Sequence, residues 1–258
     1  MIPYSPMRGI SRHSLIRPLH AELPHGAPFD VQILAHIGVS AKQAARYVES
    51  GWLVRLGQGV YAYPADKLEA QGCILLLQKK ANGLHVGGKS ALALHGVRHN
   101  LEARESWILW GDQRFTLPIW FTSRFPARYI HSRLFDWKHG ALNDATITTP
   151  VGSTDHLKVS VPERAILELL SEVGIHQDLE EARNLFDGLR NLRVGVLGRL
   201  LSCCTSVKTV RLFLSWARET EVVDTEQLLR EHSVNTGSKS RWISRLKDGT
   251  LLTLKNHE

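Results

Sequence analysis

Cysteine is scarce in this sequence: three in 258 residues, with Cys203 next to Cys204. That excludes a disulfide framework and leaves no spacing suited to a metal, so the three read as small buried hydrophobes. No apolar run reaches the length of a membrane span, and Met1–Gly9 lacks the apolar core of a signal peptide. The expected compartment is therefore the cytoplasm, with no membrane partner. Thirteen histidines are present but scattered. His95 and His99 stand i, i+4, yet Gly96 lies between them and no third ligand follows, a poor basis for zinc. A converging set of catalytic groups is also missing, so no cofactor is expected and the chain is not read as an enzyme.

Positive charge, by contrast, is in excess. The net charge is +7, and its distribution is uneven. Residues 1–63 hold six Lys/Arg against three Asp/Glu, and residues 237–258 hold five against two. The 173 residues between them hold 21 against 20. A polyanion reached by both ends of the chain fits that pattern. Hydrophobic content of 43% and charged content of 22% are ordinary for a globular protein, and the length suits one large domain or two unequal ones.

The most informative stretch is Ile37–Pro64. Ser40 is a candidate N-cap with Gln43 three residues on, a capping box. Ala41, Ala44, Ala45 and Val48 recur at helical spacing and predict a narrow buried stripe of small residues. Lys42, Gln43, Arg46 and Tyr47 would then face solvent or a ligand. Gly51 can end the helix, and two β-rich runs flank Gly57-Gln58-Gly59, a hairpin turn. Helix then ribbon is the second half of a winged helix-turn-helix. Its helix would bind DNA through Ser40, Lys42, Gln43, Arg46 and Tyr47, with Lys42, Gln43 and Arg46 at base edges, while Arg55 and Gln58 in the wing would reach backbone or minor groove. Upstream, Ser11–Leu23 and a helix begun near Pro28, with Phe29, Ile33, Leu34 and Ile37 on its apolar face, supply the missing helices. Pro64-Ala65-Asp66 marks the exit, dividing the chain into a DNA-binding domain, 1–66, and a larger α+β domain, 67–258.

Gly51-Trp52-Leu53-Val54-Arg55-Leu56-Gly57-Gln58-Gly59-Val60-Tyr61 resembles the N-terminal winged-helix segment of the AbiEi family. So do two later stretches in the same order, Gly88–Gly96 and Val161–Leu169. The resemblance covers roughly residues 10 to 250 and implies an antitoxin and autorepressor of an AbiE-type (type IV) toxin–antitoxin system, with a role in phage defence. It implies double-stranded DNA of the protein's own promoter as one partner. A nucleotidyltransferase-like toxin would be the functional partner, generally neutralised in such systems without a stable complex.

Two motifs in the larger domain invite other readings. Gly83-Leu84-His85-Val86-Gly87-Gly88-Lys89-Ser90 matches the P-loop pattern, but Gln78–Asn82 before it is poor strand material and no βαβ repeats follow. Asp112, Asp136 and Lys138 form the loose acid, acid-x-lysine pattern of a metal-dependent nuclease, the main alternative function. A protein-binding module using the winged helix is a further alternative. Around them, Trp107–Trp110, Leu117–Phe121, Arg128–His131, Ala145–Thr149 and Leu157–Ser160 predict a small, mostly antiparallel sheet. Arg124, Arg128, Arg133 and Lys138 would make it basic.

Helices follow. Ser160 would cap the first, with Pro162 in its first turn and Ala165, Ile166, Leu169, Leu170 and Val173 as its buried stripe. Asp178–Leu192, Val194–Leu201, Thr205–Thr220 and Thr225–His232 complete a bundle. Gly237–Leu254 reads as a basic, glycine- and serine-flanked hairpin turning at Asp248-Gly249, with Lys239, Arg241 and Arg245 placed to meet phosphates.

Overall fold

The computed structural model describes residues 22–98, 106–137, 145–150, 156–245 and 249–255. The helix expected over Ser11–Leu23 falls almost wholly outside them, as do Lys138 and Asp248. The chain forms two compact units, Met1–Leu76 and Leu77–Glu258.

The first unit contains β1 (Phe29–Asp30), α1 (Val31–His36), α2 (Ala41–Glu49), β2 (Val54–Gly57) and β3 (Val60–Ala62). The strands form an antiparallel sheet in the order β1-β3-β2. Phe29, expected on a helix, lies in β1, because Asp30 caps α1 by accepting from the backbone N–H of Gln32 and Ile33 at 3.0 and 3.1 Å. Pro28 thus precedes a strand rather than opening a helix. Phe29, Leu34, Val39, Ala44, Leu53 and Tyr61 make the buried core, with Ile33, Ile37, Tyr47 and Val48 packed against it.

In the second unit α3 (Ala70–Lys80), through which the division passes, leads to a five-stranded sheet. Its strands are β4 (His85–Val86), β5 (Trp107–Gly111), β6 (Ala127–His131), β7 (Ile147–Thr148) and β8 (Val159–Ser160), in the order β6-β5-β4-β8-β7. The sheet is mixed: β4–β5 and β7–β8 are antiparallel, whereas β5–β6 and β4–β8 are parallel. The short helices α4 (Gly88–Leu94) and α5 (Ile119–Thr122) interrupt it. The strand expected over Leu117–Phe121 is thus one helical turn, entered from Pro118, that buries Trp120 and Phe121.

The helical bundle comprises α6 (Pro162–Ser171), α7 (Leu179–Asp187), α8 (Val194–Cys203), α9 (Val207–Thr220) and α10 (Thr225–Glu231). Helix α6 is buried from Glu163 to Leu170 without a solvent face, so its polar residues must find partners inside. The C-terminal hairpin, β9 (Trp242–Arg245) with β10 (Leu251–Leu254), pairs Leu251 with Arg245 and Leu254 with Trp242.

Candidate nucleic-acid interface

Helix α2 starts where its cap dictates. Ser40 Oγ accepts from the Gln43 N–H at 3.3 Å, and Gln43 Oε1 accepts from both the N–H and the hydroxyl of Ser40 at 2.8 Å. Two of the N-terminal groups that a helix leaves unpaired are satisfied in this way. At the other end Ser50 donates its hydroxyl to Arg46 O at 2.8 Å, and Gly51 turns the chain away at φ +75°.

The helix is rotated from the phase that its alanines suggest. Ala44 is fully buried, and Tyr47 and Val48 pack on the core, while Ala41 and Ala45 are exposed. Tyr47, placed by the sequence among the DNA-facing residues, is therefore half-buried as part of the hydrophobic support. The exposed face is Ala41, Lys42, Ala45, Arg46 and Glu49. The exposed neighbours Ala41 and Ala45 are too small to cover the two cations, Lys42 and Arg46. Gln43 is half-buried, and its carbonyl oxygen is committed to the cap.

The hairpin after α2 carries Arg55 and Gln58 on its exposed side. Arg55 Nε donates to Gly57 O at 3.3 Å, which lays the side chain along the ribbon. Gly59 takes φ +66°, a conformation L side chains resist, and its carbonyl accepts from Val31 N at 3.1 Å. That bond ties the wing turn to the start of α1. Lys42, Arg46, Arg55 and Gln58 thus lie in one unit on a helix and a ribbon.

Lys239, Arg241 and Arg245 lie in the other unit, all exposed. Their segment is more firmly held than its glycines and serines suggest. The buried Arg211 of α9 donates Nε to Thr236 O at 2.7 Å and Nη1 to Ser240 O at 2.7 Å and Leu254 O at 3.4 Å. Its Nη2 also donates to Ser238 O. One guanidinium thereby fastens the segment that leads into β9 and the end of β10.

The P-loop look-alike is fully committed to structural bonds. Its middle is β4, paired in the sheet, and Gly88 N donates to Glu168 Oε2 at 3.0 Å, where a phosphate oxygen would have to sit. Lys89 Nζ pairs with Glu181 Oε1 at 3.0 Å, and Ser90 Oγ accepts from Ile108 N at 2.8 Å while donating to Ser106 O at 3.1 Å. Around the nuclease-like acids, no cluster of three metal-ligating side chains occurs among the described residues.

Sequence reasoning missed the polar centre of the second unit. Glu168 has no exposure, yet it accepts from His85 Nε2 at 2.9 Å, Arg164 Nε at 2.8 Å, Gly88 N at 3.0 Å and Ser160 Oγ at 2.9 Å. Burial pushes its carboxyl up, but the charges of His85 and Arg164 and the bonds from His85 and Gly88 hold it down at about 2. The other ring nitrogen of His85, Nδ1, lies 2.8 Å from the Gly83 carbonyl. Ser160, expected as an N-cap, spends its hydroxyl here instead, and Val161 holds the cap position of α6. Arg164 also stacks on Phe135 and Trp137, 5.6 and 5.2 Å from their centroids.

Residues 12–103 match the family described as "Transcriptional regulator, AbiEi antitoxin N-terminal domain", and residues 104–255 match "Transcriptional regulator, AbiEi antitoxin, Type IV TA system". The chain belongs to the AbiEi family of antitoxin transcriptional regulators. A crystal structure of the RV2827C protein from Mycobacterium tuberculosis shares the fold at a TM-score of 0.53 and 15% identity, covering 89% of this chain and 87% of that one. No curated protein sequence matches. No described helix is long and apolar enough to cross a membrane.

Proposed function

We propose that this AbiEi-family protein is a cytoplasmic, non-enzymatic repressor that binds the double-stranded DNA of its own promoter. In the same reading it counteracts a nucleotidyltransferase-like toxin encoded beside it. The observation that supports DNA binding most directly is the exposed face of α2. It presents Lys42 and Arg46 from a capped helix, next to a wing that carries Arg55 and Gln58. A helix of this kind fits the major groove, where lysine and arginine donate to guanine O6 and N7. Ser40 and Gln43 serve this reading by fixing the helix start. Lys239, Arg241 and Arg245 on the fastened hairpin suit phosphate contacts, which add affinity without sequence preference.

The division of labour follows the chain. Residues 1–66 carry operator recognition and residues 67–258 carry toxin neutralisation. A gel-shift with the DNA immediately upstream of the protein's own gene tests the reading. A specific complex that survives excess random duplex supports it, and binding no tighter than to random duplex refutes it.

A further inference from the structure

We propose that the cleft between the β5–β6 face and helix α6 is a binding site for a small oxyanion, a carboxylate or a phosphate, with the indole N–H of Trp110 as its buried donor. This site lies wholly within the second unit and does not depend on the DNA-binding reading.

Trp110 is 3% exposed, and its Nε1 is the one buried side-chain nitrogen or oxygen among the described residues that has no hydrogen-bond partner. An indole N–H can only donate, and leaving a buried donor unmet forfeits the hydrogen bond it made to water. The group therefore calls for an acceptor. Its direction follows from Gly88, where an added Cβ would stand 3.6 Å from Nε1, 3.7 Å from Ile108 and 3.9 Å from the Leu169 nitrogen. Gly88, Ile108 and Leu169 are all walls of this cleft. Gly88 at φ +51° keeps the floor open, and a side chain on Gly87 would collide with Trp110 and Glu168 at 2.5 and 2.4 Å.

The surroundings favour an acceptor that carries negative charge. In the sheet, Arg128 is registered beside Ile108 and Ile130 beside Trp110, which puts Arg128 and Trp110 on one face, and both line the cleft. His176 and Lys89, the latter paired with Glu181, complete the rim. The acids present are largely engaged: Glu168 by its four donors, and Glu181 by Lys89 and the Gln177 amide. Glu172 remains, its carboxyl pushed up by burial against the pull of His176, Lys208 and Arg128. The cleft encloses about 260 Å³ including its mouth. That is room for one oxygen at the floor with the remainder of a small anion among the rim cations.

The test uses the full-length protein labelled with ¹⁵N. Its indole resonances are followed while inorganic phosphate, or in a second series acetate, replaces chloride at constant ionic strength. The Trp110 resonance is identified by its loss in Trp110→Phe or, if that variant does not fold, by its cross-relaxation with Gly88 and Ile108. The expected result is a saturable shift confined to that resonance, with the apparent dissociation constant raised about tenfold or more in the surface variant Arg128→Gln. Response to phosphate alone assigns a phosphate, and response to acetate assigns a carboxylate. No saturable shift with either anion means a water-filled cleft and overturns the proposal, as does a shift that Arg128→Gln leaves unchanged, an adventitious ion only.

Discussion

Ser40 and Gln43 face each other across the first turn of α2, with Gln43 Oε1 2.8 Å from both the backbone nitrogen and the hydroxyl of Ser40. The pair spends its acceptors on the helix start. Ser40→Ala should therefore lower stability by about 0.5–2 kcal/mol, and Gln43→Ala should also destabilise the first unit. Both variants should keep the wild-type ratio of operator to random-duplex affinity. Thermal unfolding and competition gel-shifts check this, and a collapse of that ratio in a fully folded Gln43→Ala would show that Gln43 reads a base.

What the sequence made legible follows from how local each signal is. The capping box, Gly51 and the Gly57–Gly59 turn are local, and the helix and ribbon stand where those residues imply. The phase of α2 is not local. Ala41 and Ala45 bury too little area to choose a face, and the Tyr47 ring packing with Val48 outweighs them. The Glu168 cluster was hidden for a similar reason. An acid in a helical pattern reads as solvent-facing, while the groups that permit its burial, His85 and Gly88, lie 83 and 80 residues away. Ser160 before Pro162 has the signature of a cap, and only the fold reveals that Glu168 claims its hydroxyl.

Glu168→Gln should be severely destabilising. It leaves Arg164 and His85 buried without their counter-charge, at a cost of about 3–5 kcal/mol. The pH dependence follows in sign. The folded carboxyl sits at about 2 against an ordinary 4.5. Its contribution is thus complete above pH 4.5, falls as the pH drops below that value and is lost by about pH 2. The shift corresponds to about 3 kcal/mol. Urea unfolding of wild type and variant at pH 7 and pH 3 should show the gap between them narrowing in acid. A gap that stays constant would place the proton elsewhere.

Arg211 should govern the C-terminal hairpin. Arg211→Met keeps much of the packing volume but removes the donors to Thr236, Ser238, Ser240 and Leu254. Amide protection in Trp242–Arg245 and Leu251–Leu254 should fall by an order of magnitude or more, with several carbonyls losing their charged donor. Hydrogen exchange measures it, and unchanged protection would mean that strand pairing alone holds the hairpin.

Repression and neutralisation should separate. Replacing Lys42 and Arg46 together by alanine leaves the second unit untouched. Such a protein should lose repression of its own promoter yet still restore growth to cells expressing the cognate toxin. A reporter assay and a growth assay on the same variant decide it. Loss of both activities would show that neutralisation depends on operator binding.

Arg46 and the C-terminal hairpin should fail in different ways. Arg46 stands on the exposed face of α2 between Ala45 and Glu49, free of the cap that occupies Gln43. A guanidinium there can bond guanine O6 and N7 together, worth about 1–3 kcal/mol of discrimination. Arg46→Ala should thus weaken operator binding by about 5- to 150-fold, with far less effect on random duplex. Lys239, Arg241 and Arg245 lie on a hairpin whose backbone Arg211 fastens, suited to phosphates. Replacing any one of them should weaken binding to all sequences alike and reduce the log–log salt slope by about 1. Titrating both kinds of variant on operator and scrambled duplex at several salt concentrations separates the roles. Operator affinity unchanged in Arg46→Ala would mean that α2 is not the element that reads the DNA.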